Sequence, residues 1–369
     1  MISYIIPTRD RPTELERTLD AIGMLGDHRS VGGAEVIVID NASARPVRCP
    51  ALLRNGLRVG VIRAPENLGA SARNLAATNA DARSDWLVML DDDSAPMNDT
   101  FVQELARVDD DVAVLSADIM LGESPGSIIR REDGGLPEVF VGCGAAIRRH
   151  AFERVGGYDA SFGFYAEEYD LSAKVLLAGY RVRFCPAFRV LHRKVQAGRD
   201  INMILRRLVR NSGWVVQRYA PDAERSAELD AVIRRCRWIA EREQAMAGFE
   251  AGHEELLKSL GSQQRTPMPV PIWERFTGLS WAREAIAQRL PAGVGTVSLV
   301  HEGKQSHIVR RAIQELGLVE TDGGSEVRII GTLSPGPMLD ALAGCGDDPR
   351  VVAPWLGATL ACARARFAA

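Results

Sequence analysis

The sequence has no CxxC pair and no dense cysteine framework: Cys49, Cys143, Cys185, Cys236, Cys345 and Cys362 lie scattered along 369 residues. That pattern argues against a disulfide-stapled scaffold and fits a reduced cytoplasmic compartment. No stretch approaches the roughly 18 apolar residues that a membrane span needs. The start, Met1-Ile2-Ser3-Tyr4-Ile5-Ile6, has no basic segment and runs into Pro7, so it reads as a buried first strand rather than a signal peptide. Charge of one sign is scarce: the net charge of -3 offers no electrostatic reason to expect nucleic acid as a partner. Internal repeats are also missing. What is present is an ordinary globular mixture, 46% hydrophobic and 25% charged, over a length that makes two domains the natural expectation.

Apolar runs alternate with helical patterns through the first half. Ser3 to Ile6, Glu35 to Asp40, Arg58 to Arg63 and Trp86 to Leu90 are strand candidates bounded by Pro, Gly, Asn or Asp. Between them, Thr13 to Ile22 puts Leu15, Leu19 and Ile22 on one helical face with Thr13 as N-cap, and Ala70 to Ala80 reads as a second helix. The alternation argues for a parallel α/β sheet covered on both faces. Ligands of such sheets gather beyond the carboxyl ends of the strands, where Pro7-Thr8, Asp40-Asn41 and Asp91-Asp92-Asp93 all fall.

After Pro221 the texture changes. Asp222 to Leu260 is charged, Ala-rich and helical, Arg265 to Pro271 reads as an extended linker, and a helix follows near Trp281 to Leu290. The tail starts again as α/β, with strands at Thr296 to Val300, Val327 to Ile330 and Arg350 to Ala353 around helices at His307 to Leu316 and Pro337 to Ala343. The expected division is a domain over 1–221, a helical segment and linker over 222–291, and a small α/β unit over 292–369.

The sharpest local signal is Trp86-Leu87-Val88-Met89-Leu90 followed by Asp91-Asp92-Asp93. Three carboxylates at the end of a buried strand repel one another, and a divalent cation bridging to a diphosphate would relieve that repulsion. A solvated acidic turn is the plainer alternative, which the position after an apolar strand disfavours. In order along the chain stand IIPTRDRP, VIVIDNAS, ENLGASARN, WLVMLDDDS, VGCGAAIRRHAFERVGGYD, FYAEEYDLSAKVLLAGYRV, VLHRK and VRNSGWVVQRYAP. Over residues 2 to 220 this ordered set resembles a family 2 glycosyltransferase of the GT-A fold, in its rhamnosyltransferase-like branch. The implied fold is a Rossmann-like mixed sheet flanked by helices, followed here by a helical linker and a small C-terminal α/β subdomain.

The resemblance implies that Pro7, Thr8 and Arg11 border the base and phosphates of a nucleotide, and that Asp40 meets the base edge. It implies that Asn67, Gly69 and Arg73 close over the nucleotide. A guanidinium at Arg73 also suits a diphosphate on first principles. An Asx turn at Asp40-Asn41 and a surface position for Arg73 are the respective alternatives. Asp91 and Asp93 take the metal-binding positions of the triplet, Asp92 lies near the ribose, and His192 is a further metal ligand. Mixed carboxylate and imidazole ligation suits Mn²⁺, and Mg²⁺ serves where carboxylates and phosphates dominate.

Glu167-Glu168-Tyr169-Asp170 opens a helix with apolar Leu171, Val175 and Ala178 at helical spacing. Carboxylates there favour the helix dipole, which is reason enough for Asp170. The family places an acidic pair at this point, matched by Glu167 and Glu168, with the second as catalytic base; this chain has Glu-Glu where Glu-Asp is commoner. Such a base would deprotonate an acceptor hydroxyl as it attacks the anomeric carbon. One base and no covalent nucleophile imply single displacement with inversion. Arg210-Asn211 matches a family pair and is expected at the leaving phosphates or the acceptor, with Gly144 and Asp170 nearby, whereas Arg206 reads as a solvated face. Phe162, Phe164 and Tyr165 are either a sugar-stacking wall or core, and Trp214 is core.

The implied partners are a nucleotide-diphosphate sugar, with UDP or dTDP as carrier, and a carbohydrate, lipid-linked or small-molecule acceptor, the lipid-linked case allowing contact with the inner membrane face. A nucleotidyltransferase is the first rival, and the lack of glycine in Ile6-Pro7-Thr8-Arg9-Asp10-Arg11 counts against it. A non-catalytic nucleotide-sugar-binding scaffold is the second, disfavoured by the intact acidic motifs and His192. The tail is left with three roles: acceptor recognition, carriage of a partner, or support of a homodimer. Its loop Gly331 to Gly336 reads as a turn rather than a phosphate cradle.

Overall fold

The computed structural model describes residues 1–26, 28–194, 200–346 and 348–355; Cys362 and the end of the tail lie outside them. In chain order the first part contains β1 (Ile2–Thr8), α1 (Pro12–Gly23), β2 (Ala34–Asp40), β3 (Arg58–Arg63), α2 (Ala72–Asn79), β4 (Trp86–Met89), β5 (Ser94–Pro96) and α3 (Thr100–Leu105). Next come β6 (Val112–Gly122), β7 (Ile128–Arg131), β8 (Ala145–Arg148), α4 (Arg149–Arg154), α5 (Glu167–Leu177), β9 (Arg181–His192) and α6 (Ile201–Tyr219). These strands form one nine-stranded sheet ordered β3-β2-β1-β4-β8-β6-β9-β5, with β7 on β6. β1 to β4 pair in parallel as expected, but β8 runs antiparallel to β4 and β6, and β5 antiparallel to β9. The sheet is therefore mixed, not purely parallel.

Both faces are covered. Leu15, Leu19 and Ile22 of α1 join Phe101 of α3 on one face, and Ala72 and Ala76 of α2 with Leu171 and Val175 of α5 fill the other. The 11 residues of β6 are all buried, the near-continuous apolar run of a strand covered on both sides. Thr13 does not cap α1: Pro12 occupies the first helical position and Arg11 the cap, without a side-chain hydrogen bond.

The remaining elements are α7 (Asp222–Arg242), α8 (Met246–Ser259), α9 (Val270–Thr277), α10 (Leu279–Arg289), β10 (Thr296–Val300), α11 (Ser306–Glu315), β11 (Val319–Glu320), β12 (Val327–Ile330), α12 (Pro335–Cys345) and β13 (Val351–Val352). The four strands make a separate parallel sheet ordered β11-β10-β12-β13. Of the expected Arg265 to Pro271 linker, Val270 and Pro271 already belong to α9, and the part before them is anchored: Thr266 and Met268 donate backbone hydrogen bonds to Arg218 and Tyr219 at the end of α6, and Met268 is buried. The Gly331 to Gly336 loop docks on the segment after β7. Ser334 Oγ donates to the carbonyls of Asp133 (2.8 Å) and Gly134 (2.7 Å), and Arg131 bridges Asp118 (2.8 Å) and Asp340 (2.6 Å). One apolar core runs from α5 and α6 through α7 to α12 and the second sheet.

Candidate active site

A cleft of about 580 Å³ opens at the carboxyl ends of β1 and β4, and Pro7, Thr8, Arg11, Asn67, Arg73, Asp91, Asp92, Asp93, Glu167, Glu168 and His192 all line it. Clefts of this size in this place of an α/β sheet are where small ligands bind. The acidic triplet turns sharply after β4, with the Asp91 amide donating to Ser94 Oγ at 2.8 Å. Charge repulsion in the triplet is relieved by guanidinium groups. Arg11 spans Asp92 and Asp93 at 2.6 Å each, and the buried Arg73 meets Asp91 at 2.5 Å. The side chain of Asp91 is 40% exposed against 5% for Asp92 and Asp93, so Asp91 is the member that faces the open cleft.

Burial pushes Asp92 up to about 7, against the opposing pull of Arg11 and the 2.8 Å hydrogen bond from Thr8. Asp93 is held well below the carboxylate range: burial opposes this, but His192 and Arg11 prevail. Sheet register places His192 there, because Ser94 of β5 pairs with His192 of β9. His192 Nε2 lies 3.4 Å from Asp93 Oδ1, while Nδ1 faces Glu132 at 3.2 Å and Cys143 Sγ at 3.6 Å. Ligand atoms of Asp91, Cys143 and His192 fall within 4.8 Å of one another, a grouping that could hold a metal ion. Burial works against an imidazolium at His192, yet Cys143, Asp93 and Glu132 together raise its pKa.

Glu132 was not foreseen. It follows β7 in Arg130-Arg131-Glu132-Asp133, which matches no motif, and only the fold brings it to His192 and to Lys194 at 2.9 Å. Burial would raise its pKa, but His192 and Lys194 hold it down at about 2. A carboxylate fixing the second ring nitrogen is the arrangement that orients metal-ligating histidines. Lys304, from the loop after β10, also reaches the cleft and carries no sequence signal.

Glu167 and Glu168 open α5 and line the same cleft. Burial, then the Glu168 charge, pushes Glu167 well above the usual range; burial also raises Glu168, whose Oε1 accepts from the Gly142 amide at 3.3 Å. Tyr165 and Ala166 just before them have left-handed backbone, φ 73 and 63, a conformation that costs energy outside glycine and collects at functional sites.

Other expected residues serve this loop from behind. Asn211 is fully buried, outside the cleft lining, and its amide donates to the carbonyls of Phe162 (2.9 Å), Phe164 (2.9 Å) and Tyr165 (2.7 Å). Arg210 faces away, against Glu255 at 3.3 Å and over the Trp214 ring. Asp170 is buried with Arg218, Tyr219 and Lys174. Gly144 is pressed on β6, where a Cβ would come within 2.9 Å of Ala117. Asp40 lies beneath the cleft. Its oxygens accept from the amides of Ser43 (2.8 Å) and Val47 (3.2 Å) and pair with Arg63 (2.7 Å), the Asx-turn alternative. Gly69 has φ +61, and a Cβ there would meet the Gly163 carbonyl at 2.5 Å, so glycine lets the 67–73 loop touch the loop before α5. Phe164 and Tyr165 line the cleft, whereas Phe162 and Trp214 are core.

Residues 3–156 match the model of glycosyl transferase family 2, and residues 125–241 that of glycosyl transferase family group 2. The chain is 28% identical over 210 residues to the pre-mycofactocin glycosyltransferase of Mycobacterium tuberculosis, covering 52% of this chain and 42% of that protein. It thus spans about two fifths of the length of the curated relatives it matches. Among solved structures it is similar to GalNAc-T7 with UDP, GalNAc and Mn²⁺, at 19% identity and a TM-score of 0.48 over 71% of this chain and 57% of that one. It is also similar to the mannosyltransferase PcManGT of Pyrobaculum calidifontis in complex with GDP-Man and Mn²⁺, at 17% identity and a TM-score of 0.46 over 76% and 80%. The similarity to family 2 glycosyltransferases thus runs over residues 3–241, and the rest of the chain lies outside both family models.

Proposed function

We propose that this protein transfers a sugar from a nucleotide-diphosphate sugar to an acceptor hydroxyl by single displacement with inversion, with Glu168 as general base. One observation carries the reading: an acidic triplet beside His192 and a buried glutamate pair of raised pKa line the same cleft. Asp91 and His192, with Cys143 in the same group, would hold a divalent cation, Asp93 lying 3.4 Å from the imidazole, and the oxygen and nitrogen donors suit Mn²⁺. When bound, such a cation neutralises the departing diphosphate. Arg73 and Arg11 supply positive charge on the same side. A base must take a proton near neutral pH, which is easier for a carboxyl whose pKa burial has raised.

The related mycobacterial protein is named as a glycosyltransferase, which supports the reaction class but leaves donor and acceptor open. We read 1–221 as the catalytic unit, 222–291 as helical connection and 292–369 as an appended unit that adds Lys304 to the cleft. Thermal shift with UDP, dTDP, GDP and CDP, each with and without Mn²⁺, identifies the carrier. With the donor so found, Glu168→Gln is expected to lower transfer by about 10²-fold or more while nucleotide affinity stays within about twofold. Turnover that survives this change removes Glu168 as the base.

A further inference from the structure

A second cavity, of about 800 Å³, adjoins the cleft. Ala166, Tyr169, Leu208 and Lys304 line both, so the two spaces meet beside Glu168. Its walls come from α6 and α7 on one side and from the loop 302–307 and Thr332 on the other. That loop and Thr332 follow β10 and β12, at the carboxyl edge of a parallel sheet, where ligands of such sheets collect. The lining is predominantly apolar and includes Tyr169, Trp238, Trp273 and Phe276. Trp238 is 58% exposed, with the Arg242 guanidinium over its ring at 5.5 Å.

Charged groups interrupt this apolar surface: the carboxylates of Asp133, Glu228 and Glu302 and the cations Lys304 and Arg235. Lys304 lies over the Tyr169 ring, its ammonium 4.9 Å from the centroid, and forms no ion pair among the described residues. Arg235 of α7 lines the same chamber. Burial, and then the Arg235 charge, brings Lys304 down to about 7. A lysine drawn out of water without a carboxylate partner is stabilised when an anion arrives.

Building on the glycosyl-transfer reading above, we propose that this chamber holds the acceptor, and that the acceptor is an amphipathic molecule with an apolar or aromatic body and an acidic group held by Lys304. The shared boundary presents its hydroxyl to Glu168, while the donor occupies the adjoining cleft. The appended unit therefore selects the acceptor.

Anilinonaphthalene sulfonate, an aromatic body bearing one anionic group, is a direct probe, with neutral phenylnaphthylamine as its counterpart. Fluorescence titration of the full chain should show saturable binding of both. Lys304→Met should weaken the sulfonate roughly tenfold and leave the neutral probe within about twofold, and Lys304→Arg should restore most of the loss. Ala231→Trp, which fills the chamber from α7, should abolish binding of both, with cooperative thermal unfolding as the check on folding. Sulfonate binding indifferent to Lys304→Met overturns the acidic group. Binding of either probe indifferent to Ala231→Trp overturns the chamber as the site. Titration of the wild-type chain with UDP, dTDP, GDP and CDP, each with Mn²⁺, is scored separately: failure of all four sinks the donor reading and leaves the chamber result standing.

Discussion

At the scale of single residues, His192 shows how much a side chain depends on what holds it. Nε2 faces Asp93, while Nδ1 is turned toward Glu132, itself anchored by Lys194. Glu132→Gln keeps the shape but removes the charge that orients the imidazole. It should weaken Mn²⁺ binding about tenfold or more, read by the paramagnetic signal of free Mn²⁺ during titration. Unchanged affinity would assign Glu132 to docking alone. The same scale explains why the acidic triplet was only half legible. Its place after β4 could be read from the apolar run, but Arg11 and Arg73, which neutralise it, arrive from α1 and α2 by folding.

At the scale of elements, the first turn of α5 is held in place by other helices. Asn211 of α6 ties down the left-handed segment before it, and α6 is held in turn by α8. The α6–α8 crossing is close because Gly252 lies on the Arg206 backbone, where a Cβ would overlap it. The glutamate pair at the start of α5 makes stability depend on pH. Glu167 is raised by burial first and by Glu168 second, so above the ordinary glutamate value of about 4.3 the folded state keeps a proton that the unfolded chain has lost. Folding stability from this group therefore falls as pH rises from there toward the raised value. Glu167→Gln has no such proton to lose, so its Tm should gain on the wild type steadily between about pH 5 and pH 8. Parallel Tm curves would mean that Arg73 already compensates the charge.

At the scale of the whole molecule, the appended elements are locked to the catalytic half by buried charge. Glu138 is fully buried and accepts two hydrogen bonds from Arg275 of α9, at 2.7 Å each, with Trp281 at 3.3 Å. Arg275→Met leaves that carboxylate uncompensated and should cost about 3 kcal/mol in urea unfolding. A change below about 1 kcal/mol would show that the pair is relaxed by water.

Local pattern was enough for β1 to β4, for α1 and α2, and for β10, α11, β12, α12 and β13 of the tail, though not for the two-residue β11, since period and punctuation are short-range properties of a chain. The motif residues Thr8, Arg73, Asp91, Glu168 and His192 also met in one cleft as their order along the chain suggested. Tertiary structure alone decided the antiparallel β8, the pairing of β5 with His192, the roles of Glu132 and Lys304, and the retreat of Asp40, Arg210 and Asn211 from the cleft. The reason is physical: a side chain's type is local, but its direction and partners depend on register and packing between segments far apart in sequence.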